Sequence, residues 1–570
     1  MRTRIKAFFA QAMTMHGKQC SLAQAVAESV TAGDTIHFVF SHNRSHAAVW
    51  EVARQFRDRH NLRLVATGLL EYATALCAAG AISSLESAFA GNTYPAPAPS
   101  RVLIQHFEKD AQSDPNWTNL TMTLRLMAGA LGWPFVPSTS LAGSDLEHGA
   151  GRARINNPFG EGQAMLLAPL CPDVAFVHAA LADTEGNAVI YGPDAEELWG
   201  AYAARKVIVT AERVISPAEL RALGPRPGLP GHCVTAVVEA PYGAHPQAQF
   251  VWNAQDGVAP YAEDYAMRQT LRSLSRDEKA MRAWLDEWVF GLDHADYLAK
   301  VGKERLAQLH DMTPPKATVA TVDGVTAEER AAAVAMREAI TAAITGSHDV
   351  FFAGIGVSHL AAWAAEASCR AQGIAVNLVA ETGMYGFRPY QGDPYLFNYP
   401  NARSSLLHSG FLRMLGALAG PRAQRVLVFL AAAQLDRHGS INSSRAANGQ
   451  LIVGSGGAND LVNGGGDCLV VMPLRAGRLV DRLPFVTSPA RRLRGVATDR
   501  GWLAPVQPGG DLQIATVMAA PGQEAAAVQE IQALCDWPIN ISASLLRIDP
   551  PSVAELAALR AFDPARALLS

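Results

Sequence analysis

Three short segments occur twice in this sequence, in the same order in each half. They are SHAAVW (45–50) and SHLAAW (358–363), LVATG (64–68) and LVAETG (378–383), and LADTEGNAVI (181–190) and QLDRHGSINS (434–443). Matches that keep their order are the mark of an internal repeat. The alternative is the general similarity of alanine-rich α/β sequences. We expect two related domains whose strands and helices follow one plan.

Apolar runs rich in β-branched and aromatic residues alternate with runs of helical spacing in both halves. Strand and helix in alternation predict an α/β fold with a parallel or mostly parallel sheet. The helical runs include residues 45–60 and 120–132. The runs that predict strands buried on both faces are DTIHFVF (34–40), LRLVATG (62–68), VAFVHAAL (174–181), KVIVTAE (206–212), DVFFAGIG (349–356), IAVNLVAE (374–381), QRVLVFLAAA (424–433) and CLVVMPL (468–474).

The chain has 570 residues, which is too long for one ordinary hydrophobic core, so two or more domains are expected. Residues 264–315 are charged and helical in pattern, and Pro314 and Pro315 then interrupt regular structure. We place the boundary near residues 313–325, with one domain over residues 1–315 and a second over 326–570. Two related open sheets are expected to pack about a pseudo-dyad, with ligands bound at strand ends between them.

Composition excludes several classes of protein. Hydrophobic residues make up 49% and charged residues 18%, and the formal net charge is -4, so neither nucleic acid nor an anionic membrane is indicated as the main partner. The 7 cysteines form no CxxC pair, which indicates neither a disulfide framework nor a zinc site. The N-terminal residues contain no apolar run of signal-peptide length, and no stretch approaches the about 20 apolar residues of a membrane span. We predict a cytoplasmic protein.

Glu381 ends the apolar run IAVNLVA and precedes TGMYG, so we expect it at the carboxyl end of a buried strand. Carboxylates are seldom buried without a partner or a function. The structural alternative is a turn residue bonded to the local backbone. Because the matching phrase LVATG has no acid, the fold does not require one here. We therefore predict a functional role for Glu381.

Glycine-rich turns follow two of the predicted strands. In LIVGSGGAND (451–460) a strand runs into a turn whose backbone N–H groups are able to converge on a developing oxyanion. Ordinary tight turns use the same residues, so a structural role is the alternative. The second turn, GIG at 354–356, lacks the third glycine and the downstream acid of a dinucleotide-binding fingerprint.

These segments resemble the class I CoA-transferases, in particular the glutaconate CoA-transferase branch, whose enzyme usually consists of separate α and β subunits. Residues 30–250 resemble the α subunit, whereas residues 330–489 resemble the β subunit, so the chain resembles a fusion of the two. The segments that carry the resemblance are VFFAGIGVSHLAA, VAETGMYGFRP, LAAAQLDRHGSINSS, VGSGGAND and DRLPFVTSPA in the second half, and LESAFAGN, LTMTLRLMAGALGWPFVPSTSLAGSDL, CPDVAFVHAALADTEGNAVIYGP, RKVIVTAERVIS and VVEAPYGAHP in the first.

The resemblance implies an enzyme that moves CoA between an acyl-CoA and a carboxylic acid. The acidic nucleophile of the family's VESG-like stretch matches Glu381, which would form a covalent glutamyl-CoA thioester with ping-pong kinetics. N–H groups of Ser455, Gly456, Gly457 and Ala458 are expected to stabilise the tetrahedral oxyanion. The implied partners are small-molecule acyl-CoA and carboxylate substrates, with coenzyme A as part of the substrate, no metal, and assembly into a homo-oligomer.

Further residues are candidates for binding the substrate. Arg44 is suited to a bidentate contact with a carboxylate, although a solvated arginine at a helix start is the alternative. Glu86 lies in the α-like region where ring-opening hydrolases of the same superfamily use an acid as base. The complete set of substrate-binding candidates is Ser455, Asn459, Gly354, Gly356, Arg44, His42 and Glu86.

One segment departs from the family pattern and leaves the acyl group open. DTIHFVFSHNRSHAA replaces a glycine-rich stretch close to GGFxxxRxP, with Phe38 and Phe40 where small residues are usual. A CoA-thioester hydrolase, or a carbon–carbon lyase or decarboxylase on the same fold, is therefore the alternative function. A third alternative is a non-catalytic protein that binds acyl-CoA.

Overall fold

A computed structural model of the protein describes residues 17–39, 42–314, 324–420 and 423–570. The N-terminal residues 1–16, Phe40 and most of the predicted domain linker, residues 315–323, lie outside this part of the chain. No helix in the described ranges is both long enough and apolar enough to cross a membrane.

The first half alternates strands with helices, as the sequence predicts. Its helices are α1 (Leu22–Ser29), α2 (His46–Gln55), α3 (Glu71–Ala78), α4 (Arg101–Lys109), α5 (Asn119–Leu131), α6 (Trp199–Ala203), α7 (Pro217–Ala222), α8 (Tyr265–Leu274), α9 (Glu278–Trp288), α10 (His294–Val301) and α11 (Lys303–Gln308). Its strands are β1 (Thr35–Phe38), β2 (Leu62–Leu69), β3 (Ile82–Ala90), β4 (Val136–Ser138), β5 (Arg152–Asn156), β6 (Gln163–Leu167), β7 (Val174–Asp183), β8 (Ala188–Val189), β9 (Lys206–Ile215), β10 (Gly228–Leu229) and β11 (Ala236–Glu239).

The main sheet of this half has a parallel core in the order β3-β2-β1-β7-β9-β11, and β8 with β10 extends antiparallel from the end of β7. All positions of β7 are buried. Its sequence VAFVHAALAD lacks polar alternation because helices cover both faces of the sheet. Strands β4, β6 and β5 form a separate antiparallel sheet.

The second half repeats the alternation around its own sheet. Its helices are α12 (Ala327–Ile344), α13 (Val357–Ala371), α14 (Tyr399–Arg403), α15 (Ala458–Asn463), α16 (Glu524–Ala533) and α17 (Val553–Arg560), and a π-helix spans Leu412–Leu418. Its strands are β12 (Val350–Ala353), β13 (Asn377–Ala380), β14 (Met384–Tyr385), β15 (Leu407–His408), β16 (Val426–Ala431), β17 (Gln434–Leu435), β18 (Ile441–Asn442), β19 (Asp467–Val471), β20 (Leu493–Thr498), β21 (Gly501–Pro505), β22 (Leu512–Met518) and β23 (Asn540–Ile548).

The second sheet has the order β15-β14-β13-β12-β16-β19-β20-β21-β22-β23. Its central strands, β13-β12-β16-β19-β20, are parallel, and antiparallel strands extend it on both sides. The two related α/β units predicted from the sequence repeat are therefore present. Strand β12 pairs in parallel with β13 and β16, just as β1 pairs with β2 and β7.

The repeated segments occupy matching positions in the two units. SHAAVW lies at the start of α2, and SHLAAW lies at the start of α13. LVATG lies within β2, whereas LVAETG begins in β13 and ends in the turn that follows it. After this point the units differ. Strand β2 continues to Leu69 and pairs in parallel with β3, whereas the chain reverses after β13 into the antiparallel β14.

The two halves share apolar contacts. Leu120 at the start of α5 belongs to the same buried cluster as Met414 and Leu415 of the π-helix. Burial of each such side chain contributes about 1.5–3 kcal/mol. These contacts fix the cleft between the sheets, where the carboxyl ends of strands from both halves meet.

Candidate active site

Glu381 lies in the turn that joins β13 to β14. The strand register pairs Ala380 with Met384, and the N–H of Gly383 donates to the carbonyl of Ala380 at 3.1 Å. Gly383 has φ +116°, and a Cβ built there would lie 1.9 Å from the carbonyl oxygen of Ser409. Only glycine permits this turn, which places Glu381 at the end of the parallel strands.

The glycine-rich turn of residues 453–457 is held by β3 of the first half. Ala90 N donates to the carbonyl of Val453 at 2.8 Å, and Gly456 N donates to the carbonyl of Ala88 at 3.0 Å. These backbone bonds cross between the halves. They bring the turn to the side of the cleft that carries Glu381.

The Glu381 carboxylate lies directly against this turn. A Cβ built on Gly457 would be 2.0 Å from Glu381 Oε2 and 3.2 Å from Leu415 Cδ2. Asn119 at the start of α5 donates its Nδ2 hydrogen to Glu381 Oε1 at 3.2 Å, and its backbone N–H donates to the carbonyl of Gly456 at 3.0 Å. The first half therefore contributes a direct hydrogen-bond partner of the glutamate.

Asp460 fixes the start of α5 and so the position of Asn119. Asp460 is 3% exposed. Its Oδ1 accepts from Thr118 Oγ1 at 2.6 Å and its Oδ2 accepts from the N–H of Leu120 at 3.0 Å. Asn119 and Asp460 are site residues that our sequence analysis missed, although Asp460 ends the motif GSGGAND.

Burial changes the acidity of both carboxyl groups. Burial first and the neighbouring Asp460 second raise the pKa of Glu381 to about 7, against the opposing effect of the hydrogen bond from Asn119. Burial likewise raises the pKa of Asp460 to about 7, and the hydrogen bonds from Thr118 and Leu120 oppose this shift. Near pH 7 a large fraction of Glu381 is ionised, and this fraction is the form able to act as a nucleophile.

Two cavities share Glu381, Phe89, Ile355 and Gly456 in their walls. The first cavity encloses about 640 Å³, part of it open to solvent, and its other lining residues are His42, Arg44, Gly68, Leu70, Thr93, Asn119, Gln247, Glu263, Thr382, Tyr395 and Phe397. The second cavity encloses about 970 Å³ on the same measure, and its other lining residues are Pro97, Ala353, Gly354, Leu396, Leu430, Ala431, Ala432, Ala433, Ser443, Ile452, Val453, Gly454, Ser455, Gly457, Ala458 and Leu461.

Several residues proposed for substrate binding line these cavities. Gly354 and Ser455 line the second cavity, and Arg44 and His42 line the first. Arg44 is 2% exposed, which excludes the alternative of a solvated arginine at a helix start. His42 Nε2 lies 3.4 Å from Thr382 Oγ1. Burial lowers the pKa of His42 to about 3, so its imidazole is neutral.

Asn459 has a structural position that differs from the substrate-binding one we expected. Its side chain is buried, and its Oδ1 accepts from the N–H of Leu141 at 2.8 Å. Its Nδ2 donates to the carbonyl of Thr487 at 2.8 Å and to Ser144 Oγ at 3.2 Å. Because these bonds use its donors and acceptor, Asn459 joins the two halves and does not face a ligand.

Gly356 and Glu86 line neither cavity within the part of the chain that the structure describes. Gly356, with φ +110°, precedes α13, and its N–H donates to His359 Nδ1 at 3.0 Å. Glu86 lies on β3, where it forms an ion pair with Arg125. The structure thus shows local contacts for Gly356 and Glu86, and their substrate contacts stay predictions.

The proposed oxyanion donors also divide into two groups. Gly456 N–H is used by the carbonyl of Ala88, and Ala458 N–H donates to the carbonyl of Ser455 at 3.1 Å. Among the described residues, the N–H groups of Ser455 and Gly457 donate no backbone hydrogen bond. Of the four donors expected from the sequence, these two remain for a ligand.

In the same part of the chain, no cluster of three or more His, Cys, Asp or Glu side chains is arranged to hold a metal ion. The chemistry that the site offers is that of a carboxylate nucleophile with amide and backbone N–H donors beside it.

Comparisons with known sequences point to one family. A family model described as Coenzyme A transferase matches residues 20–240. The chain is 31% identical over 313 residues to one subunit of the glutaconate CoA-transferase of Acidaminococcus fermentans, covering 51% of this chain and 94% of that protein. It is 29% identical over 290 residues to one subunit of the 3-oxoadipate CoA-transferase of Pseudomonas knackmussii, covering 50% of this chain and 98% of the relative.

A solved structure is similar over nearly the whole chain. The acyl-CoA transferase apoenzyme of Escherichia coli O157:H7 matches 95% of this chain and 97% of its own, with a TM-score of 0.65 at 15% sequence identity. That likeness supports the fold of both halves. Because each of the two sequence relatives is one subunit and matches about half of this chain, the length fits two fused subunits.

Proposed function

Because the chain belongs to the CoA-transferase family, we propose that it moves CoA from an acyl-CoA to a carboxylic acid through a thioester on Glu381. One observation carries the proposal. The Glu381 carboxylate lies where two cavities share a wall, in contact with Gly457 of one half of the site and hydrogen-bonded to Asn119 of the other.

The two cavities support a division of the substrate. We assign the acyl group to the first cavity, which contains Arg44 and Gln247, and the pantetheine arm of CoA to the second. The relatives are named for glutaconate and 3-oxoadipate, which are both dicarboxylic acids, and we propose substrates of that class. Remote contacts with CoA would offset the cost of desolvating the thioester.

The reaction proceeds by alternating attacks of a carboxylate and of a thiolate on an acyl carbon. A Glu381 oxygen attacks the thioester carbon, the carbon–sulfur bond breaks, and a mixed anhydride and CoA thiolate form. The thiolate then attacks the glutamyl carbonyl, releasing the donor's carboxylate and leaving a glutamyl-CoA thioester. An acceptor carboxylate repeats the steps in reverse, which gives ping-pong kinetics.

Each attack creates a tetrahedral oxyanion that needs preorganised donors. We assign this role to the N–H groups of Gly457 and Ser455, whose backbone donors stay available in the second cavity. Asn119 Nδ2, already bonded to Glu381, is a third donor in reach of the reacting glutamyl oxygen. Loss of one such donor typically costs roughly 10²–10³ in rate.

The test is to trap the thioester. The protein is incubated with acetyl-CoA or with succinyl-, glutaryl- or adipyl-CoA, treated with borohydride or hydroxylamine, and its peptides are analysed by mass spectrometry. We expect modification of the peptide that contains Glu381, and none in Glu381→Gln. Full transferase turnover with an unmodified peptide would contradict the covalent route. Consumption of a CoA ester without an acceptor acid would favour the hydrolase alternative.

A further inference from the structure

Glu263 is a buried carboxyl group at the first cavity that the proposed reaction does not use. The residue precedes α8, is 4% exposed and lines the cavity. Its Oε2 has no hydrogen-bond partner among the described residues. Buried polar atoms are nearly always paired, so an unpaired carboxyl oxygen at a cavity wall is available to bond a ligand in that cavity.

The groups that face Glu263 are already paired with one another. Arg268 donates from Nε to Glu71 Oε1 at 2.9 Å and from Nη2 to Thr93 Oγ1 at 3.1 Å. Asp393 accepts from the hydroxyl of Tyr265 at 2.7 Å. The positive charge of Arg268 is therefore shared with Glu71 and is not reserved for Glu263.

Glu263 consequently keeps its proton up to a higher pH than an ordinary glutamate does. Burial raises the pKa of Glu263 to about 7, and Arg268 opposes the shift, while Asp393 and Glu71 add to it. The phenol groups of Tyr395 and Tyr94, also close to this cluster, have pKa values raised to about 12 by burial and stay neutral. A buried carboxylic acid that stays protonated is a hydrogen-bond donor.

We propose that the protonated carboxyl of Glu263 donates a hydrogen bond to the second carboxylate of the acyl group and is thereby a specificity-determining residue. The proposal rests on the function proposed above. Arg44 lines the same cavity, and under this proposal its positive charge attracts the same carboxylate. An ionised Glu263 would repel a carboxylate, so the bound ligand itself favours the protonated form. Plain alkyl groups would leave the Glu263 hydroxyl buried and unpaired.

The experiment compares matched donors in one protein. Succinyl-, glutaryl- and adipyl-CoA are each paired with the analogue in which an isopropyl group replaces the second carboxylate, and kcat/KM is measured from pH 6 to pH 9. The variants are Glu263→Leu, which removes the donor, and Glu263→Gln, whose amide donates at every pH. Glu338→Leu is the matched control, since Glu338 is a half-buried glutamate of α12 that lines neither cavity.

We expect wild type and Glu338→Leu to prefer the best dicarboxylic donor over its isopropyl analogue by about 10²-fold or more. Glu263→Leu should lose most of this preference. In wild type the KM of the dicarboxylic donor should rise with pH above about 7, by up to about tenfold per pH unit, because only protonated Glu263 donates. In Glu263→Gln this rise should be absent.

Two outcomes of the kinetic measurements would overturn the role of Glu263. One is a Glu263→Leu variant that keeps the wild-type ratio of kcat/KM between the paired donors. A purely structural defect would give this result, because it lowers kcat/KM for both donors alike. The other is a Glu263→Gln variant with the pH dependence of wild type. Trapping of the Glu381 thioester in the same samples separates this proposal from the proposed function. A wild type that is labelled equally by both donors of a pair contradicts only the role of Glu263, whereas turnover without labelling contradicts the transferase route.

Discussion

Gly457 is the residue whose size decides where the Glu381 carboxylate lies. Its backbone has φ -93° and ψ 0°, which any residue can adopt, so an alanine there is not strained. Its new methyl group would lie 2.0 Å from Glu381 Oε2 and would displace the carboxylate. We expect Gly457→Ala to lower transferase kcat/KM by about 10²-fold or more, since a misplacement of about 1 Å costs this much. Steady-state kinetics measures the loss.

The control for this substitution is Gly291→Ala. No heavy atom lies within 4 Å of a Cβ built at Gly291, and its φ is not in the left-handed region. We expect this variant to keep wild-type activity and a wild-type melting temperature. A Gly457→Ala enzyme within threefold of wild type would show that the carboxylate does not depend on this contact.

Helix α5 links the two halves of the site. Its first residue, Asn119, bonds to Glu381, and Asp460 holds the adjoining Thr118 and Leu120. Asn119→Ala removes a hydrogen bond that favours the ionised form of Glu381 and should raise its pKa above about 7. Asp460→Asn removes a neighbouring negative charge and should lower that pKa. The acidic limb of the pH profile of kcat/KM should move in opposite directions in the two variants.

The opposite shifts distinguish an electrostatic role from a loss of structure. A general loosening of α5 would lower activity at all pH values without moving the limb. Ser138→Ala serves as a control, because it changes a hydroxyl that accepts from the N–H of Ser140 at 3.1 Å and lines neither cavity. Shifts of both variants in the same direction would contradict the roles assigned to Asn119 and Asp460.

The sequence predicts most elements of the site, including the helical run 120–132 that matches α5, better than the contacts between them. The apolar runs locate β12, β13, β16 and β19, and the change from LVATG to LVAETG singles out Glu381, because a strand end in one repeat carries an acid that the other lacks. The role of Asn119 has no such signal, since it depends on a contact across 262 residues of chain. Strand β3 was missed because ISSLESAFA mixes serines and an acid into an otherwise apolar run.

Across the chain, the repeat predicts two related sheets, and both are present. What the repeat does not predict is where the halves differ. The first unit uses β3 to hold the glycine turn, while the second reverses after β13 and so places Glu381 at the cleft. The sequence predicts four oxyanion donors in that turn, but hydrogen bonds occupy two of them. One of the two, the N–H of Gly456, is bonded to the carbonyl of Ala88 in the other half, and this bond is not visible in the sequence.

The placement of Glu381 lowers the stability of the whole chain at neutral and alkaline pH. Its pKa is about 7 when folded and near 4.5 when unfolded, so between these values the folded protein holds a proton that the unfolded chain has released. The unfavourable contribution is absent at low pH and complete above about 7. Glu381→Gln removes the charge but keeps the shape and an acceptor for Asn119. We expect it to raise the free energy of unfolding at pH 8 by about 3 kcal/mol.

Urea unfolding at pH 8 and pH 5 measures this difference. The gain should shrink to a small fraction at pH 5, where wild-type Glu381 is protonated when folded. Glu304→Gln is the control, because Glu304 is exposed and its replacement should give the same small change at both pH values. A Glu381→Gln variant that is less stable than wild type at pH 8 would mean that the ionised glutamate is stabilised by its surroundings. That result would contradict the view that the cleft holds its nucleophile at the expense of stability, which is common in active sites.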